Sequence, residues 1–191
     1  MTDKRDGNDY DVRYLEGACW MTQNLRIVDE INAQYSNFST YQNVDPCEGG
    51  DLTNGDTYDV PRCMDSGNVL NGVWYNYAAA SAKTILTSNN SNEATEDICP
   101  AGWHLPNYDN TKPAGSVNSL EGISSVGVTA FQPVAGGYYN GGSIYDPGNG
   151  YWWSSAASGN VGRYNLDYSG SSLNTSSSLR RYGGMYIRCV R

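Results

Sequence analysis

Phenylalanine, lysine and histidine are scarce in this 191-residue chain, which has 2 Phe, 3 Lys and one His, His104. A lone histidine excludes a His-cluster metal site. Charged residues make up 17 %, below the usual quarter. No run approaches the roughly 20 apolar residues of a membrane helix. No heptad pattern is sustained, which excludes a coiled coil. The net charge of −8 argues against binding a phosphate backbone, so no nucleic acid partner is expected. No two of the five cysteines have the CxxC spacing of a zinc knuckle or redox motif. No Gly-x-Ser-x-Gly elbow occurs, and His104 is the one imidazole available to a nucleophile.

Polarity comes instead from 22 Gly, 20 Asn, 20 Ser and 16 Tyr. The 23 aromatic residues would go unburied in a disordered chain, so a folded core is expected. Charge is unevenly placed: residues 1–137 carry −11, whereas residues 138–191 carry +3. The C-terminal stretch also has half the tyrosines, and no Lys, Glu or Gln follows Gln132.

Local patterns predict an α+β fold with many short antiparallel strands, two helices at most and long irregular loops. Tyr10, Val12 and Tyr14 alternate with Asp11 and Arg13, and a turn at Glu16-Gly17 leads to Cys19-Trp20-Met21. Residues 29–71 read as a loop-rich insertion. Val73-Trp74-Tyr75 reads as a buried strand, followed by a helix over Tyr77–Lys83 capped by Asn76. A weaker helix is expected near Val117–Val126. Beyond Phe131, short strands are separated by Gly and Asn turns. Tyr164, Leu166 and Tyr168 alternate with Arg163, Asn165 and Asp167; Met185, Ile187 and Cys189 alternate with Tyr186, Arg188 and Val190. Both are half-buried strand patterns.

Cys47 and Cys63 bracket an acidic stretch with little core of its own, where a disulfide would contribute about 3 kcal/mol. Cys19, Cys99 and Cys189 then leave one thiol over, with the pairing open. Disulfides imply an oxidising compartment. No apolar segment follows MTDKRDG, so no signal peptide is read there.

Six segments together are similar to one family: residues 3–25, GVWYNYAAASA (72–82), ICPAGWHLP (98–106), FQPVAGGYYNGG (131–142), GYWWSSAA (150–157) and RRYGGMYIRCVR (180–191). The chain resembles the Fibrobacter succinogenes major paralogous domain, related to C-type lectin-like and formylglycine-generating folds. The resemblance implies one C-type lectin-like domain over 1–191, with paired terminal strands and a small sheet presenting a ligand surface near the C-terminus. The sequence leaves the compartment open among cell-surface, secreted and virion-associated locations. The family's Thr-x-x-Glu-Trp after GWHLP is replaced here by NYDNTKPAGSVNSLEG.

Proteins of this fold occur as targets of diversity-generating retroelements, which mutate template adenines. An AAC codon so mutated stays NNC, which never encodes Lys, Glu, Gln, Met or Trp. Residues 156–186 hold none of these except Met185. Tyr, Ser, Asn and Gly are also the residues of antibody combining loops, and Arg and Tyr are frequent hot spots. A variable ligand-binding region is therefore expected over about 150–188. Its contacts are expected from Trp152, Ser158, Asn160, Arg163, Tyr164, Asn165, Asp167, Arg180, Tyr182 and Tyr186. If Leu166 and Tyr168 point inward, Arg163, Asn165 and Asp167 point out together. Of the adjacent Trp152 and Trp153, one is expected in and one out. The partner would be a protein or cell-surface structure.

Two other readings stand beside this one: a fixed adhesion or carbohydrate-binding module, and an oxidoreductase similar to formylglycine-generating enzymes. Calcium-dependent sugar binding normally uses Glu-Pro-Asn or Gln-Pro-Asp with Trp-Asn-Asp. Gln132-Pro133-Val134 lacks the carboxylate, so no metal site is expected there. Oxygen chemistry would need cysteines near the C-terminus, where Cys189 stands alone in a strand pattern. No enzyme activity and no cofactor are expected.

Overall fold

The structure is a computed structural model, and it describes residues 1–36, 43–52, 59–67, 71–86, 92–159 and 162–191. The described chain is α+β and strand-rich, built from small antiparallel sheets and two short α-helices. None of its helices is long and apolar enough to cross a membrane.

Strand β1 (Val12–Leu15) and strand β2 (Ala18–Met21) form the expected hairpin, with Val12 opposite Met21. Its turn needs positive φ at both central residues, and Glu16 and Gly17 supply +46° and +85°. Strand β3 (Cys63–Asp65) pairs antiparallel with β4 (Val73–Tyr75), and all three β4 residues are buried. Helix α1 (Tyr77–Ala80) follows at once, shorter than the expected Tyr77–Lys83. Lys83 and Ala82 have positive φ, which ends the helix after one turn. Asn76 caps it as read: its Oδ1 accepts the amides of Ala79 and Arg62, and its Nδ2 donates to the Val60 carbonyl. This buried side chain ties α1 to the segment leading into β3.

The second expected helix is split. A 3₁₀ turn covers Val117–Leu120, and α2 spans Ser125–Phe131 with Ser124 as its N-cap. Gln132 closes α2 in the left-handed region, with φ +54°. Strands β5 (Tyr138–Asn140) and β6 (Ser143–Tyr145) form a hairpin. The largest sheet has the order β7 (Gly150–Ser158), β8 (Gly162–Ser169), β9 (Ser172–Arg180), antiparallel throughout.

Residues 184–190 stitch these pieces together. Met185 bridges Tyr75, Tyr186 runs parallel to Trp152, and Val190 bridges both Trp20 and His104. Cys19 and Arg191 exchange backbone bonds of 2.8 and 2.9 Å, so the terminal segments do pair. The close approach leaves no room at Gly184, where a Cβ would collide with Leu52 and Trp74. The half-buried pattern read over 185–190 is corrected: every residue from Met185 to Val190 is buried, because strands flank this segment on both sides.

Cys47 is bonded to Cys63, as expected from the sequence. A second disulfide joins Cys99 to Cys189 across 90 residues, and Cys19 is the free thiol among the described residues.

Candidate ligand-binding face

The β7–β8–β9 sheet lies between two core clusters, and its register sorts side chains by face. Trp152, Leu166 and Thr175 are opposite one another, as are Gly150, Tyr168 and Leu173. This face packs on Phe131, Leu120 and Val128. On the other face the rows are Tyr151–Asp167–Asn174 and Trp153–Asn165–Ser176. Trp153 enters the second cluster with Tyr75, Tyr77 and Met185.

Both tryptophans are therefore inside, and the expectation of one in and one out is corrected. They do point to opposite faces, but each face is covered at that point. Trp152 is 1 % exposed, and its indole Nε1 donates 2.7 Å to Asn24 Oδ1. Trp153 Nε1 donates 2.7 Å to the Tyr75 carbonyl.

Arg163, Asn165 and Asp167 do share one face, with a bulge between the first two, but they are not displayed together. Arg163 and Asn165 are each 0 % exposed, a correction to their expected place in solvent. The Arg163 guanidinium lies 4.6 Å from the centre of the Tyr77 ring and donates 3.1 Å to the Asn92 carbonyl. Asn165 Oδ1 accepts from Ser176 Oγ at 3.0 Å. Tyr186 is likewise buried, tilted against Trp74 at 5.6 Å between ring centres. Its expected surface role is corrected for the reason given above for residues 184–190. Tyr164 is half-buried on the opposite face, stacked on Tyr108 at 3.6 Å.

The accessible candidates fall into two groups. Ser158 is half-buried and Arg180 exposed at the hairpin-tip end of the sheet, each paired with Gly162, and half-buried Tyr182 follows in the next turn. Asn160 lies outside the described residues. Half-buried Asp167 is four residues along β8 from Arg163, about 13 Å at strand spacing. Trp153, Asn165 and Arg163 fill the space between these ends.

Around Asp167 the structure assembles residues the sequence reading missed. Tyr151 is its register partner. Tyr138 meets Tyr151 edge to face at 5.0 Å and stacks on Tyr145 at 5.5 Å, 17° from parallel. The Tyr151 hydroxyl donates 3.1 Å to Asp146 and accepts from Asn149. Burial pushes the Tyr151 phenol above its ordinary range, with Asp146 and Asp167 adding to it. Burial, then Asp146, does the same to Tyr138. Burial raises the Asp167 carboxyl as well, against a counter-pull from Ser176 and Asn174. The available signal was YYNGGSIY, a Gly-Gly turn flanked by tyrosines, but nothing in it says which strand it lies beside.

His104 is exposed, and its Nδ1 sits 2.9 Å from the Leu105 carbonyl. Arg188 is a buried donor. Its guanidinium donates to Asn24 Oδ1, the Phe131 carbonyl and the Gln132 carbonyl, and lies over the Phe131 and Trp152 rings. Burial pushes it down to about 9. All of its partners are acceptors or ring faces, which suits the charged form. Among the described residues, no group of three or more His, Cys, Asp or Glu could hold a metal ion. Comparison with family models, curated proteins and solved structures finds no match to this chain.

Proposed function

We propose that the chain is a ligand-binding display domain of C-type lectin-like architecture, with a C-terminal sheet whose exposed positions are diversified by a retroelement. The observation that carries this reading is the division within the tail. Residues 184–190 are buried and bridged on several sides, whereas the Tyr151–Asp167–Asn174 row, Ser158 and Arg180 on the sheet, and Tyr182 in the turn after it, remain accessible. Those accessible positions carry Tyr, Asn, Ser, Asp and Arg, a combining-surface composition. Pairing of the terminal segments supports the lectin-like architecture. The ligand is a protein or cell-surface structure.

The test is the DNA beside the gene. A reverse transcriptase and a near-identical repeat, differing at adenines within the codons for 156–186, are the expected result. Absence of both removes diversification. A second reading, a fixed adhesion or carbohydrate-binding module, draws support from the burial of Arg163 and Asn165 inside the same segment, where free exchange would damage the core. Glycan binding shared by close relatives with an unchanged 156–186 segment would favour it.

A further inference from the structure

We propose that the surface formed by Tyr138, Tyr145, Tyr151, Asp146 and Asp167 recognises an arginine side chain on a protein ligand. The inference rests on the reading of this sheet as a ligand face, and it names the chemistry of what is bound. Residues 138–191 have more Arg than acid, yet their exposed aromatic patch is acidic. The reason is where the arginines go. Arg188 is enclosed by Asn24, Phe131 and Gln132, Arg163 covers Tyr77, Arg181 is buried, Arg180 is at the far end of β8 and β9, and exposed Arg191 is held beside Cys19 on β2. Neither Asp146 nor Asp167 forms an ion pair with a described residue.

Two carboxylates beside three tyrosine rings form a cation-recognising set. Ring faces attract a cation electrostatically, and a planar guanidinium can stack on a ring while its fork reaches a carboxylate. The geometry is already assembled: Tyr145 and Tyr138 lie nearly parallel, Tyr151 stands at 78° to Tyr138, and Tyr151 holds Asp146 by its hydroxyl. Tyr145 remains 45 % exposed and Ile144 beside it 49 %, so a partner would find apolar area next to the charge. This same protein uses the chemistry internally, with Arg163 over Tyr77 and Arg26 over Tyr10.

The experiment titrates the full, disulfide-intact chain with blocked arginine amide, its neutral isostere citrulline amide, and blocked lysine amide, reading tyrosine ring NMR shifts. Arginine is expected to perturb Tyr138, Tyr145 and Tyr151 selectively, about tenfold more tightly than citrulline, and to weaken with salt. Asp146→Asn and Asp167→Asn should each reduce that preference. Both keep side-chain shape, and Asn tolerates the φ of +48° at position 146. Tyr151→Phe should retain most of the binding and Tyr151→Ala lose it. Equal binding of citrulline, or no perturbation of these rings by arginine, overturns the proposal; lysine binding as tightly as arginine overturns the guanidinium assignment. A random peptide library separates the two readings. Binders that map to this sheet without a basic residue would sink the arginine proposal and leave the display reading standing. Arginine selectivity at the three rings with no template repeat beside the gene would do the reverse.

Discussion

Arg180 and Arg188 are eight residues apart in one segment of limited vocabulary, and they live in opposite environments. Arg180 ends β9, which has β8 on one side alone, and it is exposed. Arg188 is 1 % exposed in a segment bridged to β2, β4 and β7, with its charge spread over three oxygen acceptors and two rings. Tyr182 and Tyr186 repeat the contrast four residues apart. Residue type does not separate a frame residue from a displayed one here. The number of neighbouring strands does, because a segment covered on both sides leaves its side chains nowhere but the core.

The hardest blow to the frame should come from the long disulfide. Replacing Cys99 and Cys189 by Ala frees a loop of 90 residues and should cost about 4–5 kcal/mol in urea unfolding, against about 3 kcal/mol for the 16-residue loop of Cys47 and Cys63. Equal losses for the two pairs would mean that the C-terminal segment holds without its staple.

Next in size, Arg188→Met should cost about 3 kcal/mol, since it strips the Phe131 and Gln132 carbonyls of their Arg188 donors and leaves Asn24 Oδ1 with Trp152 alone. Tyr186→Ser should cost a similar ~3–4 kcal/mol, and Tyr182→Ser less than about 1 kcal/mol. If thermal melts show the two Tyr variants alike, the contrast drawn from burial fails.

Asp97 sharpens the frame side through pH. Its carboxylate accepts the amides of Cys99 and Leu105 at 2.9 Å each, yet burial raises it above its ordinary 3.8. The folded protein therefore holds this proton more tightly than the unfolded chain does. That contribution is complete below the ordinary carboxylate value and is lost as pH rises through the raised one. Urea midpoints of the wild type relative to Asp97→Asn should fall as pH rises from below the ordinary carboxylate range through the raised value. A difference that grows in the other direction would refute the assignment.

The smallest effects belong to the display side. Asp167→Ser, Asn174→Ser and Arg180→Ser should each change stability by no more than about 0.5 kcal/mol. Losses above about 2 kcal/mol at these positions would show that the face is part of the core.

Several local features were legible because their physics is local. The Glu16-Gly17 turn, the Asn76 cap and the buried Val73-Trp74-Tyr75 strand each depend on residues within a few positions. The Cys47–Cys63 bond followed from a short loop without a core. The candidate site was legible only at its ends. Alternation correctly placed Arg163, Asn165 and Asp167 on one face, but it assumes that face meets water along its whole length. Tyr77 and Trp153 cover its middle, and Tyr77 lies far away in the chain. The tyrosine patch escaped for the converse reason: Tyr138 and Tyr145 come beside Tyr151 only when β5 and β6 fold back on β7.

The amino-acid order alone determined the α+β character, the positions of turns and caps, and the restricted residue set of the tail, because these follow from backbone preference and composition. Tertiary structure alone decided which tail residues are core, how Cys99 finds Cys189, and which tyrosines meet which carboxylates. Those outcomes depend on which distant segments cover each face, and burial is a property of neighbours that strand periodicity does not contain.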